Sequence, residues 1–444
     1  MTMFGLTEAV VAPLVRAVIP DNGLDADAAV LRSPDRDEIA DRFARATWTG
    51  IAEPGDRVAG VLVRVLGAAP ALTAVVDAWP VEKLAERLAD RAADRAADRA
   101  AVADSVAPSS VSTDDLAAAL ARWRPRVVSA TALTSLTQAQ RYGVRLVRPG
   151  DAGWPTGVDD LGDHAPIALW MRGRETTLET HASSISLVGA RAATNYGEHV
   201  TMEASAGLVD RGYTIVSGAA YGVDGMAHRA ALASSGETIA VLAGGVDRFY
   251  PSGHDALLAR IVESGAVVSE LPCGSSPTKW RFLQRNRIIA AMSGATIVLE
   301  AGWRSGSLNT AGHAAALGRP LGAVPGPVTS AASAGCHRLI REFDAVCVTS
   351  AEEMAELAPL ESQLHSEPDT ATAGEAHSRR GRRSDGDRPS AEQTRVLDAV
   401  TSRSPRTVDD IAARSGLAVD TVRGVLGTLD LEGVVRRVER GWVR

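Results

Sequence analysis

Glycine-rich segments follow the first two of a series of short apolar runs in the middle of the chain, and they carry residues suited to binding an anion. Gly189 and Arg191 follow the first run, and Gly218, Tyr221 and Gly222 follow the second. Glycine lets the backbone approach a ligand closely, a helix N-terminus presents free N–H groups, and a guanidinium group can donate two hydrogen bonds to one phosphate. Tight packing explains any one of these turns about as well, but several at one sheet edge favour contact with phosphate or nucleotide groups.

Three further segments add candidate anion ligands. Serine and glycine amides at the start of a helix form a concave nest for an anion, and arginine at a helix start opposes the helix dipole unless an anion binds there. The residues in these segments are Gly244, which follows the third apolar run; Arg285, Asn286 and Arg287, at a predicted helix start; and Ser305, Gly306 and Ser307, at another. With the first two segments they form a predicted site for a phosphate-bearing ligand.

The sequence lacks the signatures of common nucleotide-dependent enzymes. It has no GxGxxG after the first apolar run, no P-loop GxxxxGK[ST], no GxSxG nucleophile elbow and no HExxH pair. Asp224, Asp247 and Glu300 are the carboxylates expected near the site, and Asp224 is equally well explained as a helix cap. We therefore predict a binding protein without catalytic residues, metal or cofactor.

The segments that must position these residues alternate between apolar runs and helical stretches. Buried runs of four or five residues separated by helices are typical of βαβ units, so the pattern predicts a Rossmann-like, doubly wound parallel sheet of the α/β class. In such sheets ligands bind at the carboxyl ends of the strands. The predicted strands are Ile185–Val188, Thr214–Ser217, Thr238–Leu242, Ala266–Ser269, Thr296–Glu300 and Leu321–Val324.

Composition divides the chain into five predicted segments. They are a loosely ordered extension over residues 1–35, a helical domain over 36–125, the Rossmann-like core over 130–365, a disordered linker over 366–389 and a winged-helix domain over 390–444. The last segment shows three helices followed by a hairpin, VVRRVERGWVR, whose basic wing suits DNA. Winged helices also dock proteins, and both interpretations of this domain stay open.

Length, charge and cysteine content limit the classes of function. The chain has 444 residues, enough for two to four domains, and a formal net charge of −7, which excludes a general polycation that coats nucleic acid. Lys83 and Lys279 are the only lysines, so arginine must supply the phosphate ligands. Three cysteines without CxxC spacing favour a reducing compartment, and no apolar run reaches the length of a membrane span. We expect a soluble cytoplasmic protein that does not enter a membrane.

Motifs between Leu146 and Leu357 resemble, in order and spacing, those of the DprA/Smf family of DNA-processing proteins. The motifs are VGARAATNYG, IVSGAAYGVDGMAH, TIAVLAGGVDRFYP, VVSELPCG, FLQRNRIIAAMS, EAGWRSGSLNTA, AVPGPV and AGCHRLI. The N-terminal helical segment is similar to the sterile-alpha-motif (SAM)-like domain of many members, which also carry a C-terminal winged helix.

The resemblance implies a homodimer that binds and protects incoming single-stranded DNA and loads a RecA-type recombinase during natural transformation, without catalysis. The DNA contacts that it implies are Arg191, Gly218, Tyr221, Gly222, Arg285, Asn286 and Arg287. The family often has lysine where this chain has Tyr221, and tyrosine can stack on an unpaired base although it cannot neutralise a phosphate. We therefore expect that charge is partly replaced by stacking at this position. Leu283 and Gln284 also depart from the family pattern, which puts the shape of that segment in doubt.

Two alternatives belong to other classes of function. Nucleoside-monophosphate phosphoribohydrolases share a Rossmann-like fold, but their PGGxGTxxE motif supplies a glutamate that PGPVTSAAS in this chain lacks. A nucleotide-sensing module that signals through the winged helix is the third hypothesis. Tight mononucleotide binding without preference for a polynucleotide would favour it.

Overall fold

The computed structural model describes residues 2–21, 34–99, 110–360, 389–438 and 440–444. The strands are β1 Thr2–Met3, β2 Leu6–Thr7, β3 Arg145–Val147, β4 Leu169–Gly173, β5 Ser184–Gly189, β6 Thr214–Ser217, β7 Thr238–Val241, β8 Ala266–Ser269, β9 Ala295–Glu300, β10 Leu321–Ala323, β11 Val346–Cys347, β12 Arg436–Val438 and β13 Gly441–Val443.

The helices are α1 Glu8–Arg16, α2 Arg36–Ile51, α3 Arg57–Leu66, α4 Ala68–Val76, α5 Val81–Arg99, α6 Thr113–Trp123, α7 Ser129–Arg141, α8 Thr176–Glu179, α9 Asn195–Val209, α10 Val223–Ala233, α11 Asp255–Ser264, α12 Lys279–Met292, α13 Ser307–Ala316, α14 Ala334–Glu342, α15 Ala351–Glu356, α16 Ala391–Ala399, α17 Val408–Ser415 and α18 Val419–Leu431. Within the described residues no single helix is long and apolar enough to cross a membrane; only the sharply bent pair α3 and α4 reaches that length and composition.

The core is a nine-stranded sheet in the order β11-β10-β9-β5-β6-β7-β8-β4-β3. Strands β5 to β11 pair in parallel, whereas β4 pairs antiparallel with β8 and β3 antiparallel with β4. From β5 the chain builds the sheet outward through β6, β7 and β8, and then returns to the other side of β5 with β9. The predicted doubly wound sheet is confirmed, and its order reverses between β5 and β9. The sequence pattern predicted the six central strands but not β3, β4 and β11, whose runs are shorter or lie outside the βαβ series.

Helices cover both faces of the sheet, so its strands are buried and aliphatic. Helix α12 packs on one face through Ile288, Ile289 and Met292, and α9 and α10 cover the other through residues such as Leu208 and Ala227. Buried strand serines bond to neighbouring elements: Ser186 donates to the Ile289 carbonyl oxygen of α12 and Ser217 to the Leu187 carbonyl oxygen of β5, which avoids the cost of an unpaired buried polar group.

Helix α12 begins earlier than the sequence suggested. The Thr278 side chain accepts a hydrogen bond from the Arg281 backbone N–H and caps the helix at Lys279. Arg285, Asn286 and Arg287, which we expected at the helix start, therefore lie in its second and third turns. The helix dipole does not act on them as it would at a terminus.

The N-terminal helical part packs against the β3–β4 edge of the sheet. Arg42, which is almost fully buried on α2, donates to the Leu146 carbonyl oxygen of β3 and pairs with Asp151 at 2.8 Å. Residues 2–16 differ from the loosely ordered extension that we expected. They form the β1–β2 hairpin and α1, which buries Val11, Ala12 and Val15. Residues 22–33 lie outside the described residues.

The C-terminal residues fold as a winged helix with its own apolar core. Helices α16, α17 and α18 surround Val396, Ile411 and Leu426, and the β12–β13 hairpin forms the wing. The Thr407 side chain caps α17, and Gly416 ends that helix in the left-handed region at φ 67°. Most of the predicted linker, residues 366–388, lies outside the described residues.

Candidate nucleic-acid interface

A pocket of about 670 Å³ opens at the carboxyl ends of β5 and β9, where the strand order reverses. Its walls are one face of α12, the loop that joins β9 to α13, and Ala331 and Ala332 from the segment before α14. Ligand sites of open α/β sheets form at such a switch point because the loops diverge there to opposite faces of the sheet. The predicted residues that line this pocket are Gly189, Arg191, Arg285, Asn286, Ser305, Gly306 and Ser307.

The other predicted glycines lie where neighbouring protein atoms leave no room for a side chain. A side chain at Gly222, whose φ is 76°, would collide with the carbonyl oxygens of Ala190 and Arg191. A Cβ at Gly218 would meet the guanidinium of Arg285, and Gly244 lies directly against Pro277. We expected these glycines to let the backbone approach a ligand. In the structure they let the strand-end loops approach one another, which sets the shape of the pocket.

Arg285 is a buried cation in the pocket wall. Its Nη1 donates to the carbonyl oxygens of Gly218, at 2.6 Å, and Val241. Burial lowers the pKa of Arg285 to about 10 despite the opposing effect of Asp224, so the guanidinium stays charged at neutral pH. Burial raises the pKa of the Asp224 carboxyl, although the charge of Arg285 acts to lower it. The pocket thus contains a fixed positive charge whose hydrogen bonds go mainly to carbonyl groups.

Asn286 connects α12 to α13, whose preceding loop forms the opposite wall. Its Nδ2 donates to Asn309 Oδ1 at 3.1 Å, and within the loop the Ser305 and Ser307 hydroxyls are 2.8 Å apart. The predicted anion nest is largely closed by the loop's own hydrogen bonds, because the Ser305 N–H donates to the Gly302 carbonyl oxygen and the Ser307 N–H to the Ser305 hydroxyl. Asn286 is therefore placed to hold the start of α13 in position.

Arg191 supplies the accessible cation at the pocket. Its guanidinium lies 5.1 Å from the centre of the Phe282 ring, and that of Arg285 lies 5.7 Å from the same ring. Among the ion pairs of the described residues, none involves Arg191 or its neighbour in the pocket wall, Arg304. The guanidinium of Arg191 thus keeps its hydrogen-bonding capacity for a ligand.

Sequence reasoning missed Phe282 as a site residue. It lies one helical turn before Arg285 and Asn286, and residues at that spacing share a helix face. The spacing was a signal that could have found it. The Phe282 ring is partly buried, and the Tyr250 ring centre lies 5.6 Å from its own. Its accessible part adds an apolar surface to a positively charged pocket.

Tyr221 and Arg287 do not line the pocket. The Tyr221 ring is half exposed and packs edge-on against His254, with 4.9 Å between ring centres. Arg287 is almost fully buried on the other face of α12 and pairs with Glu270. Because successive helical residues turn by about 100°, a position two residues after Arg285 faces away from it.

The first turn of α12 contacts the other two parts of the chain. The Glu53 carboxylate, from the N-terminal part, pairs with Arg281 of α12 at 2.8 Å and with Arg126. Arg395, on α16 of the winged helix, lies nearby, and its guanidinium is 5.3 Å from the Trp280 ring centre. We call this cluster of Glu53, Arg126, Arg281 and Arg395 the Glu53 junction.

Electrostatics at the Glu53 junction strongly favour the charged carboxylate. Burial alone would raise the pKa of Glu53, but Arg281 and Arg126 outweigh burial and hold it well below its ordinary value, with a smaller contribution from Arg395. The winged helix also caps α12, since Asp398 accepts a hydrogen bond from the Lys279 backbone N–H at 2.7 Å. Three parts of the chain are thereby joined at the start of the helix that forms the pocket wall.

Comparisons with known proteins agree with this architecture. Residues 145–359 match the family model described as DNA recombination-mediator protein A, and residues 381–440 match that of the DprA winged helix domain. The chain is 42% identical over 322 residues to the putative DNA processing protein DprA of Mycobacterium tuberculosis, an alignment that covers 70% of this chain and 79% of that protein. This chain belongs to the DprA/Smf family.

Other DprA/Smf proteins show the same relationship. Protein Smf of Escherichia coli is 40% identical over 281 residues, which cover 63% of this chain and 72% of that protein. The X-ray structure of DprA from Streptococcus pneumoniae superposes with a TM-score of 0.53 at 26% identity, covering 71% of this chain and 97% of that chain. The expected DprA/Smf membership and winged helix are confirmed, and the chain is a DNA-processing protein of this family.

Within the described residues, no group of three or more histidine, cysteine or acidic side chains could hold a metal ion.

Proposed function

We propose that the pocket at the carboxyl ends of β5 and β9 binds single-stranded DNA. The observation that carries the proposal is the position of Arg191, a cation without an ion-pair partner among the described residues, 5.1 Å from the ring centre of Phe282. Proteins that hold single strands combine cations for the phosphates with aromatic rings for the bases. In a duplex the base faces are stacked on one another, so a stacking surface favours the single strand.

The chemistry of the walls divides the proposed contacts into two groups. Arg191, Arg304 and the buried charge of Arg285 act on phosphate, whereas the Ser305 and Ser307 amides already donate within their own loop. Phe282 stacks on a base. Gly189, Gly218, Gly222, Gly244 and Asn286 shape the pocket, and Tyr221 lies beside it as a weaker contact. We assign Arg287 to the support of α12, because its guanidinium faces Glu270.

We infer further that the protein passes the strand to a RecA-type recombinase, acts as a homodimer in the cytoplasm and performs no catalysis. Support comes from membership of a family whose model is described as a recombination mediator. Glu300, the last residue of β9, accepts hydrogen bonds from the Thr194 N–H at 2.8 Å and hydroxyl at 2.6 Å. A structural role for Glu300 agrees with a binding function better than with hydrolysis of a nucleoside monophosphate.

Fluorescence anisotropy tests the binding proposal. The full chain is titrated with a labelled single-stranded oligonucleotide and with the duplex of the same sequence, over a series of salt concentrations. We expect preference for the single strand and affinity that falls steeply with salt, because binding releases counterions from phosphates. Equal affinity for the duplex, or no binding of either, contradicts the proposal.

Three assays test the finer inferences. In the presence of a single-strand-binding protein, the chain should speed the onset of recombinase ATP hydrolysis on single-stranded DNA; an unchanged lag contradicts recombinase loading. Incubation with nucleoside monophosphates should release no ribose 5-phosphate, and enzymatic release would establish catalysis.

Sedimentation equilibrium tests the homodimer. At micromolar concentration it should give twice the chain mass, and a mass of one chain contradicts the inference.

A further inference from the structure

Trp303 is an exposed tryptophan in the loop that joins β9 to α13. It is 54% exposed, slightly more than Tyr250 at 51% and Tyr221 at 50%, and its indole is the larger apolar surface. The residues on either side of it, Gly302 and Arg304, both line the pocket. Tryptophan is costly to leave in water, and exposed apolar surface of this kind is often a binding surface.

The indole of Trp303 is held in place by an arginine from α14. The Arg338 guanidinium lies 5.0 Å from the Trp303 ring centre and 5.3 Å from that of Phe343, and its Nε donates to Glu342 Oε2 at 2.9 Å. The arginine is thus fixed by two rings and a carboxylate. A ring ordered before binding loses little conformational entropy when a flat ligand stacks on it.

The backbone also fixes this loop relative to the pocket. The Ser305 N–H donates to the Gly302 carbonyl oxygen at 3.1 Å, and the Gly335 N–H of α14 donates to the Ala301 carbonyl oxygen at 2.7 Å. The loop that carries Trp303 is therefore the pocket wall itself. The indole lies beside the pocket, since the residues on either side of it belong to the wall.

We propose that Trp303 is a second base-stacking subsite, which binds a nucleotide of the same single strand where that strand leaves the pocket. The inference rests on the proposed function and extends it, because nothing in the pocket itself requires the indole. The charges around Trp303 suit a nucleic acid only weakly: Arg304, Arg338 and Arg341 are opposed by Glu342 and Asp344. The contribution of the subsite is therefore stacking, and it should not change the salt dependence of binding.

Oligonucleotide length separates this subsite from the pocket. The full chain and its variants are titrated by anisotropy with oligonucleotides of about four and about twelve nucleotides, because single-strand sites of this kind span roughly that range. Trp303→Ala should weaken binding of the longer strand roughly tenfold and leave the shorter strand unchanged. Trp303→Phe should restore most of the affinity, since it keeps an aromatic face.

Tyr142 provides the matched control. It is 38% exposed, the Arg172 guanidinium lies 5.6 Å from its ring centre, and it adjoins the β3–β4 edge of the sheet rather than the pocket. Tyr142→Ala removes an exposed aromatic ring beside an arginine and should change neither affinity.

The outcomes distinguish the two proposals. If Trp303→Ala changes neither affinity, as Tyr142→Ala should, or weakens binding of both oligonucleotides equally, the proposal of a second subsite is wrong. The proposal that the pocket binds single-stranded DNA is not affected by that result. The same holds if Trp303→Phe fails to restore binding of the longer strand. If the unaltered chain binds neither length, the proposed function itself is wrong, and the subsite falls with it.

Discussion

The two faces of α12 use arginine in opposite ways. On the face turned toward the N-terminal part, Arg281 and Arg287 pair with Glu53 and Glu270. On the pocket face, Arg285 bonds to carbonyl oxygens. The same residue type within one helix is paired directly with a carboxylate at two positions and bonded to neutral carbonyl groups at a third, where Asp224 acts on the charge without forming an ion pair. The positive charge that a ligand meets therefore depends on which arginines form ion pairs with carboxylates. The number of arginines in a sequence motif does not give this charge.

The ion-paired arginines and the pocket arginines should differ in what they support, which is protein stability for the first and DNA binding for the second. A buried ion pair gains little relative to apolar packing, but removing one partner leaves a buried charge without compensation. Substitutions on the junction face should thus change the free energy of unfolding, whereas substitutions on the pocket face should change affinity for DNA.

The largest expected effect is on the Glu53 junction. Glu53→Gln leaves Arg126, Arg281 and Arg395 together without their shared carboxylate, and it should lower the free energy of unfolding by about 3–5 kcal/mol. Urea denaturation followed by circular dichroism measures the change. Affinity for single-stranded DNA at a temperature where the variant is folded should stay within about twofold of the original. A stability loss below roughly 1 kcal/mol would show that the junction is not an energetic unit.

The effect of Glu53→Gln should depend on pH in a fixed direction. Because the pKa of Glu53 is held below its ordinary value of 4.5, its stabilising contribution is complete above about that pH and is lost as the pH falls further. The difference in unfolding free energy between the original chain and Glu53→Gln should therefore be constant near neutral pH and shrink below about pH 4.5. A difference that grows toward acid contradicts the assignment.

The next largest effect is on phosphate binding at Arg191. Arg191→Ala removes a charge-assisted hydrogen bond and should weaken single-strand binding by about ten- to a hundredfold. The slope of log affinity against log salt should fall by about one. Arg287→Met is the comparison variant, since it changes the opposite face of α12. It should lower stability while leaving the salt slope intact; a reduced slope in this variant would place Arg287 among the DNA contacts.

Phe282→Ala should weaken single-strand binding through lost stacking, by roughly five- to fiftyfold. The salt slope should stay unchanged, because the ring carries no charge. Phe282→Tyr keeps the aromatic face and should bind almost as well as the original chain. Anisotropy at several salt concentrations measures both properties, and an unchanged affinity in Phe282→Ala would contradict the stacking role.

The smallest effect is expected at Tyr221, whose ring packs against His254 outside the pocket wall. Tyr221→Ala should weaken binding only a few-fold, without flattening the salt slope. A clearly shallower slope would refute the idea that stacking replaces charge at this position. A loss as large as that of Phe282→Ala would make Tyr221 the main stacking surface.

Local pattern was sufficient to predict the sheet and the edge that carries the pocket. Buried runs such as Ile185–Val188 are readable from sequence, and parallel strands place the residues that follow them, Gly189 and Arg191, at one edge. This part of the site could be predicted because the loop that follows a strand is also next to it in the sequence.

The remaining assignments depend on tertiary contacts that sequence pattern does not contain. Arg287 shares a motif with Arg285, yet the rotation of α12 against its neighbours decides which of them faces the pocket. Gly218 and Gly222 are required by other loops, and only the packed structure shows which atoms approach them. Trp303 had the plain signal of an aromatic residue inside a glycine-rich loop, but its exposure could not be read from the sequence.

Hydrogen–deuterium exchange tests most directly the claim that the pocket face binds DNA and the junction face does not. The full chain is compared with and without a saturating single-stranded oligonucleotide. The account predicts slower exchange in peptides that contain residues 189–194 and 302–307, and unchanged exchange in the peptide around Glu53. Protection confined to the winged helix or to the Glu53 junction, with the pocket loops unaffected, would contradict it.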